Sequence, residues 1–375
     1  MPARKKTKTE NEYYSLEKIT KRGKQIKAKY YIIFGQRSSG KTYAVLNRIL
    51  ENYCKKHKQG AILRRYREDF IGKRGQVMFS SLVNNDLVSK YTNDSYNGVK
   101  YYGKQWFLCK TDETGEIVKV DEKPFCYGFA LSEMEHDKST SYPNVTTICF
   151  DEFISRNGYI NDEFILFMNT LSTIIRSRND IEVFMLGNTI NKYCPYFAEM
   201  GLKHIKDMQQ GSIDIYTYGN KDLKVLVEYT SETSNNAKST SYFAFDNPKL
   251  EMITTGAWEL DIYPHCPCKF TVNDVLKRFF IIWDSDIFEG DIVVNDDREI
   301  FIFFHAKTTP IKDVDSDIVF TQDYSIKRNY FRNIMKRYNP LSDTIKKLFI
   351  SDRVFYQNNE IGDAINNYLR WCKGN

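Results

Sequence analysis

No run of 18 apolar residues occurs in the 375-residue chain, which excludes a conventional membrane-spanning helix. The charged start has no apolar stretch behind it and so does not read as a secretion signal. The eight cysteines (Cys54, Cys109, Cys126, Cys149, Cys194, Cys266, Cys268 and Cys372) are scattered without framework spacing, so they are expected to be reduced. His265, Cys266 and Cys268 lie together but lack a second ligand pair at zinc-finger spacing, which argues against structural zinc. No unit of about 20 to 50 residues recurs, which excludes a solenoid or propeller.

What the chain does have is enough apolar material for packed cores. Apolar residues make up 42% and aromatics 15%, which is not a disordered composition. The length exceeds what one average core organises, so two domains are expected. The net charge of +6 is unevenly placed: residues 1–30 hold ten Lys/Arg against three acids, so the remainder sums to −1. The opening MPARKKTKTENE reads as a mobile basic arm, either a polyanion contact or a plain solvated tail. Residues 1–28 are assigned to it. A second basic cluster, nine Lys/Arg against three acids over 48–75, lies inside the folded part.

Along the chain, apolar runs alternate with amphipathic ones. Strands are expected at 29–35, 60–66 and 181–188, and at the run NVTTICFDEF. Helices are expected at 40–55 and 161–178, and a β-meander at 99–131. This alternation implies an α/β domain with a mostly parallel sheet over 29–207. The polar segment 208–250 reads as a linker. Residues 251–375 form a smaller α/β or α+β domain, with strands near 278–284 and 299–305 and helices near 327–338 and 361–373.

Chemistry can be assembled around GQRSSGKT, residues 35–42. The pattern G-x-x-x-x-G-K-[ST] after a strand and before a helix is a phosphate-cradling loop. Gly35, Gln36, Arg37, Ser38, Ser39 and Gly40 wrap the phosphates with backbone N–H groups. Lys41 reaches the β- and γ-phosphates, and the Thr42 hydroxyl ligates Mg²⁺. In TTICFDEF an apolar strand ends in Asp151, suited to hold Mg²⁺ through water, and Glu152, suited to polarise a lytic water. This pair is what an ATPase with an additional strand and a catalytic glutamate requires. Asn188, ending another buried strand, is either a γ-phosphate contact or a turn residue. Arg176 and Arg178 either complement a helix C-terminus or provide an arginine finger to a neighbouring subunit.

In order and spacing, the segments GQRSSGKTYA, ILRRYRED, STSYPNVTTICFDEFI, TIIRSRN and LGNTINKYCPYF resemble the genome-packaging ATPases of φ29-like tailed bacteriophages. The close resemblance covers roughly 30–200. It implies a P-loop ATPase of the additional-strand, catalytic-glutamate (ASCE) class with helices on both sheet faces, followed by an RNase H-like domain that has lost its metal-binding acids. It also implies a homo-oligomeric ring, a pentamer, at the portal of an empty capsid in the infected host's cytoplasm. Such a ring hydrolyses ATP with Mg²⁺ to drive double-stranded DNA inward, in part of the family with a structural packaging RNA, and away from any membrane. By position, Lys41, Thr42, Asp151 and Glu152 take the nucleotide-site roles, Arg176 the trans-acting finger, and Lys138 another basic role between subunits. Arg37 matches the family pattern without an assigned role. DNA-gripping cations are sought among Arg64, Arg65, Arg67, Lys73 and Arg74, although Arg64 and Arg65 sit where they could sense nucleotide instead. Two rivals are a motor retaining nuclease activity through Asp284, Asp286, Glu360 and Asp363, and a non-catalytic nucleotide-switched scaffold.

Overall fold

A computed structural model describes residues 13–133, 140–155, 158–189, 192–219, 223–231, 258, 263–266, 268–312 and 316–374. The chain divides into two compact units, Met1–Trp258 and Glu259–Asn375.

The first unit is organised by strands that are apolar on both sides, as strands buried between two helical layers must be. They are β1 (Tyr30–Gly35), β2 (Gln59–Arg64), β6 (Cys126–Ala130), β7 (Val145–Asp151), β8 (Glu182–Asn188) and β10 (Leu223–Tyr229). They lie parallel in the order β6-β2-β7-β8-β1-β10. The placement of β8 between the phosphate-loop strand and the strand ending in Asp151 is the additional-strand arrangement. Register sets Gly35 beside Asn188 and Asp151 beside Leu186, so the glycine that opens the loop and two polar strand ends, Asp151 and Asn188, meet at the carboxyl end of the sheet. The expected meander forms an antiparallel flank of β3 (Gly98–Tyr102), β4 (Gln105–Thr111) and β5 (Ile117–Val120).

Helices α1 (Glu17–Ile26) and α2 (Lys41–Lys56) belong to one face, where Tyr31, Ile33, Ile49 and Phe184 pack. Helices α3 (Glu163–Ile175) and α4 (Pro195–Glu199) belong to the other, with Phe34, Phe150, Phe167 and Tyr196. No helix among the described residues is long and apolar enough to cross a membrane.

Two expected boundaries are corrected. The segment read as a linker, 208–250, contains β9 (Ile213–Tyr218) and β10, a hairpin whose second strand pairs with β1 from Tyr30↔Val225 to Phe34↔Tyr229. Val225, Leu226 and Val227 are fully buried there; residues 232–250 lie outside the described residues. The basic arm assigned to 1–28 also folds in part. Residues 17–26 form α1, anchored by buried Leu16 and Ile19, while residues 1–12 lie outside the described residues.

In the second unit six strands stand in the order β15-β14-β11-β12-β13-β16. They are β11 (Val275–Trp283), β12 (Asp286–Val294), β13 (Ile300–Ala306), β14 (Ile318–Thr321), β15 (Tyr330–Phe331) and β16 (Val354–Tyr356). Strand β12 runs antiparallel to both neighbours, and β14 and β15 continue parallel from β11, an RNase H-like order with β16 added beside β13. The helix expected at 327–338 is absent. Tyr330 and Phe331 pair with β14 instead, and helix α5 (Pro340–Ile350) starts later. There Asn339 accepts from the Ser342 N–H at 2.8 Å and Pro340 occupies the first helical position. Helix α6 (Asn359–Gly374) closes the chain.

Candidate nucleotide site

The turn from β1 into α2 is shaped by backbone that few residues adopt. Gly35 has φ 153°, and a Cβ there would stand 2.0 Å from Thr230 Oγ1, so only glycine fits beside β10. Ser38 and Gly40 follow with φ 58° and 94°. No side chain caps the start of α2. Its first N–H groups and the helix dipole are therefore directed to whatever anion enters the loop. The N-terminal segment fastens the loop from outside. The Tyr14 N–H donates to Ser39 O at 2.8 Å, and the Tyr14 hydroxyl donates to the buried carboxylate of Glu228 on β10.

Lys41 is buried and folded back on the loop. Its Nζ donates to Gln36 O at 2.6 Å and Ser39 Oγ at 3.2 Å, with Gly35 O at 3.3 Å and Asn188 Oδ1 at 3.4 Å. Burial lowers its pKa to about 8, against the opposing pull of Asp151. Thr42 Oγ1 donates to Asp151 Oδ1 at 3.1 Å, and the same oxygen accepts the Glu152 N–H at 3.1 Å. Thr42, Asp151, Glu152 and Asn188 join Lys41 around one cavity of about 280 Å³. A hydroxyl beside a carboxylate, both facing an anion cradle, is a donor set suited to a magnesium ion that keeps most of its waters.

Arg64, at the end of β2, spans both acids. One guanidinium nitrogen is 2.7 Å from Asp151 Oδ2 and the other 2.7 Å from Glu152 Oε2. Register explains why: Leu63 pairs with Phe150, so the next residue on β2 faces Asp151. Arg65 turns the other way, into the core, against Glu163. Neither therefore stands out as a surface cation for DNA; Arg64 lies against the acid pair and Arg65 against Glu163. Arg67 pairs with Glu133 at 3.2 Å while remaining exposed, and Lys73 and Arg74 lie exposed in the short helical turns that follow β2.

The two finger candidates separate. Arg178 is tied to the fold, donating to Pro143 O at 2.9 Å, to Tyr142 O and Ile174 O at 3.0 Å, and to Ile175 O at 3.3 Å. Arg176 is exposed at the end of α3, where Arg176 and Ser177 hold successive left-handed conformations, φ 39° and 63°. Arg176 does not line the cavity, and neither does Arg37, which is exposed on the loop. Lys138 lies outside the described residues.

In the second unit Asp284 and Ser285, φ 51° and 71°, form the tight turn between β11 and β12. Asp284, Asp286, Glu360 and Asp363 do not converge as a three-ligand group. Among the described residues the group that does is Glu289, Asp291 and His305. Its carboxylates already hold cations: Arg278 Nε is 3.1 Å from Asp291 and 3.3 Å from Glu289, and Lys307 is 2.9 Å from Glu289.

Residues 11–241 match the family described as Podovirus DNA encapsidation protein (Gp16). Over 173 residues the chain is 30% identical to a DNA packaging protein of Bacillus phage B103, covering 45% of this chain and 47% of that protein. Over the same length it is 28% identical to a DNA packaging protein of Bacillus phage phi29, covering 46% of it. The match thus spans about half the length of these curated relatives. Among solved structures, the bacteriophage Phi-29 viral genome packaging motor assembly superposes with a TM-score of 0.53 at 18% identity, covering 96% of this chain and 98% of that one. The Phi-28 gp11 DNA packaging motor gives 0.51 at 19%, covering 97% and 98%. At such identities the structural likeness speaks for the fold alone.

Proposed function

The chain belongs to the podovirus DNA encapsidation protein (Gp16) family, and from that membership we propose an ATP-driven translocase that packages double-stranded DNA into a preformed capsid through its portal, as a ring of identical subunits. The observation that carries the reading is the convergence of Lys41, Thr42, Asp151, Glu152 and Asn188 on one cavity at the carboxyl end of a parallel sheet. A phosphate grip needs only the loop. The acid pair and the asparagine add what hydrolysis needs.

Each residue has a distinct task. The start of α2 and the loop N–H groups hold the polyphosphate. Lys41 exchanges its loop carbonyls for phosphate oxygens. Thr42 and Asp151 would hold Mg²⁺, which supplies charge neutralisation to the phosphate oxygens when bound. Asn188, lining the same cavity, would orient the γ-phosphate or the attacking water. Glu152 takes the water's proton, and Arg64 pairs with the same carboxylate at 2.7 Å. Arg176, exposed and outside its own cavity, would serve a neighbour's site as the ring closes. DNA grip falls to exposed cations such as Arg67, Lys73 and Arg74, which meet phosphates without reading bases.

The test is DNA-stimulated ATP hydrolysis. Lys41→Ala abolishes it with loss of nucleotide binding, whereas Glu152→Gln retains binding and loses turnover by a factor of at least about 100. Wild-type turnover in Glu152→Gln sinks the assignment of the base. Wild-type turnover in Lys41→Ala sinks the nucleotide reading altogether.

A further inference from the structure

Glu152 sits in a conformation that an ordinary residue avoids. Its φ is 59°, in the left-handed region that costs an L side chain roughly 1 kcal/mol or more. Its N–H donates to Asp151 Oδ1 at 3.1 Å and its carboxylate pairs with Arg64, while its carbonyl is held from the core side. The Arg65 guanidinium donates to the Glu152 carbonyl at 3.2 Å and to the Phe153 carbonyl at 2.9 Å. It is in turn clamped by Glu163 through two parallel bonds of 2.7 and 2.8 Å, and it lies 5.0 Å from the centre of the Tyr159 ring. Glu163 is saturated: it also accepts from the Tyr196 hydroxyl and the Ile160 N–H, both at 2.8 Å. Arg65, Glu163 and Tyr196 are 7%, 3% and 0% exposed.

We propose that Arg65, held by Glu163, is a positioning residue for the hydrolytic base: it fixes the strained backbone of Glu152 so that the carboxylate is presented to the cavity. Two features favour this over a generic buried ion pair. Arg65 spends two of its donors on the carbonyls of the base and its successor, where stability alone would be served anywhere in the core. The pair also joins β2, whose last residue Arg64 holds the Glu152 carboxylate, to the start of α3, whose other end carries Arg176. One network thus sets the backbone of the base and anchors the helix bearing the proposed finger. A lysine could not replace it, because a point ammonium cannot grip a carboxylate with two parallel bonds and still reach both carbonyls.

The proposal rests on the reading of Glu152 as the base, so the experiment carries Glu152→Gln beside it. Removing Arg65 alone would strand a buried carboxylate and threaten folding. The informative variant therefore removes the three polar side chains together: Arg65→Met, Glu163→Leu and Tyr196→Phe in the full-length chain. Thermal unfolding, ATP binding and steady-state hydrolysis are measured on it. The expected result is a cooperative fold, unchanged ATP affinity and KM, and kcat reduced about 10- to 100-fold. Wild-type kcat in the triple variant, with Glu152→Gln inactive, overturns the positioning role and leaves the base intact. Loss of ATP binding together with turnover also overturns it, by assigning the network to the fold as a whole. Turnover in Glu152→Gln brings down the underlying reading instead.

Discussion

Lys41 is a titrating handle on the nucleotide site. Burial pushes its pKa down to about 8, because the ammonium has exchanged water for a few loop carbonyls. A polyphosphate favours the charged form, so the bound lysine keeps its proton to higher pH. Below about pH 7 the amine is protonated in both states and adds no pH dependence to the affinity. Above about pH 8 binding must take up a proton, so ATP affinity falls with rising pH, by at most tenfold per unit. Binding isotherms across this range, in buffers of different ionisation enthalpy, measure the uptake directly. Lys41→Arg keeps its charge throughout and is expected to bind more weakly but without the alkaline slope. An identical slope in that variant would move the titration to another group. The same scale shows what local sequence carries. The loop, Asp151 and Glu152 were legible because each follows a fully apolar run. The left-handed backbone of Glu152 was not, since its carbonyl meets Arg65, just past the end of β2 and far away in sequence, and no neighbouring letter records that contact.

At the level of elements, the least legible part was the hairpin of β9 and β10. Its turn and flanks are polar, so a local reading takes the whole stretch for a linker. What makes β10 a core strand is its partner β1, nearly 200 positions away, as in Tyr30↔Val225, and no periodicity encodes that. The helix α1 was hidden for a related reason: its exposed face is crowded with lysine and arginine, and the buried side is marked by few residues, among them Ile19, Thr20 and the small Gly23 against Tyr31. A domain boundary drawn at residue 207 therefore has a physical consequence. Fully burying a Val or Leu contributes about 1.5–3 kcal/mol, and Val225, Leu226 and Val227 are all buried in β10. Their loss, with the β1 edge left bare, consumes most of a domain's usual 5–15 kcal/mol, roughly. A fragment ending at 207 is expected to be unfolded or aggregated, while one ending at 258 melts cooperatively. Circular dichroism with thermal denaturation of the two fragments checks this, and a cooperative melt of the shorter one would return β10 to the status of a dispensable edge.

At the scale of the whole assembly the proposal turns on Arg176. The fold separates it from its runner-up: Arg178 spends its donors on the end of α3 and on Tyr142 and Pro143, whereas Arg176 is exposed on left-handed backbone, away from its own cavity. In a closed ring with head-to-tail contacts, every site faces a different surface of the next subunit, so a finger on one subunit meets the acid pair of another. This predicts complementation between two inactive proteins. Glu152→Gln lacks the base but keeps its finger; Arg176→Ala lacks the finger but keeps its base. Each alone is expected to hydrolyse ATP at a small fraction of the wild-type rate, the finger being worth about 10³-fold or more where such residues have been measured. Mixed at equal amounts before assembly, roughly a quarter of the interfaces pair an intact base with an intact finger, and DNA-stimulated turnover should return toward that fraction. Preformed rings mixed afterwards should show none of it until subunits exchange. If the co-assembled mixture stays as inactive as its parts, Arg176 acts within its own subunit or serves only the end of α3, and the ring is not what completes the site.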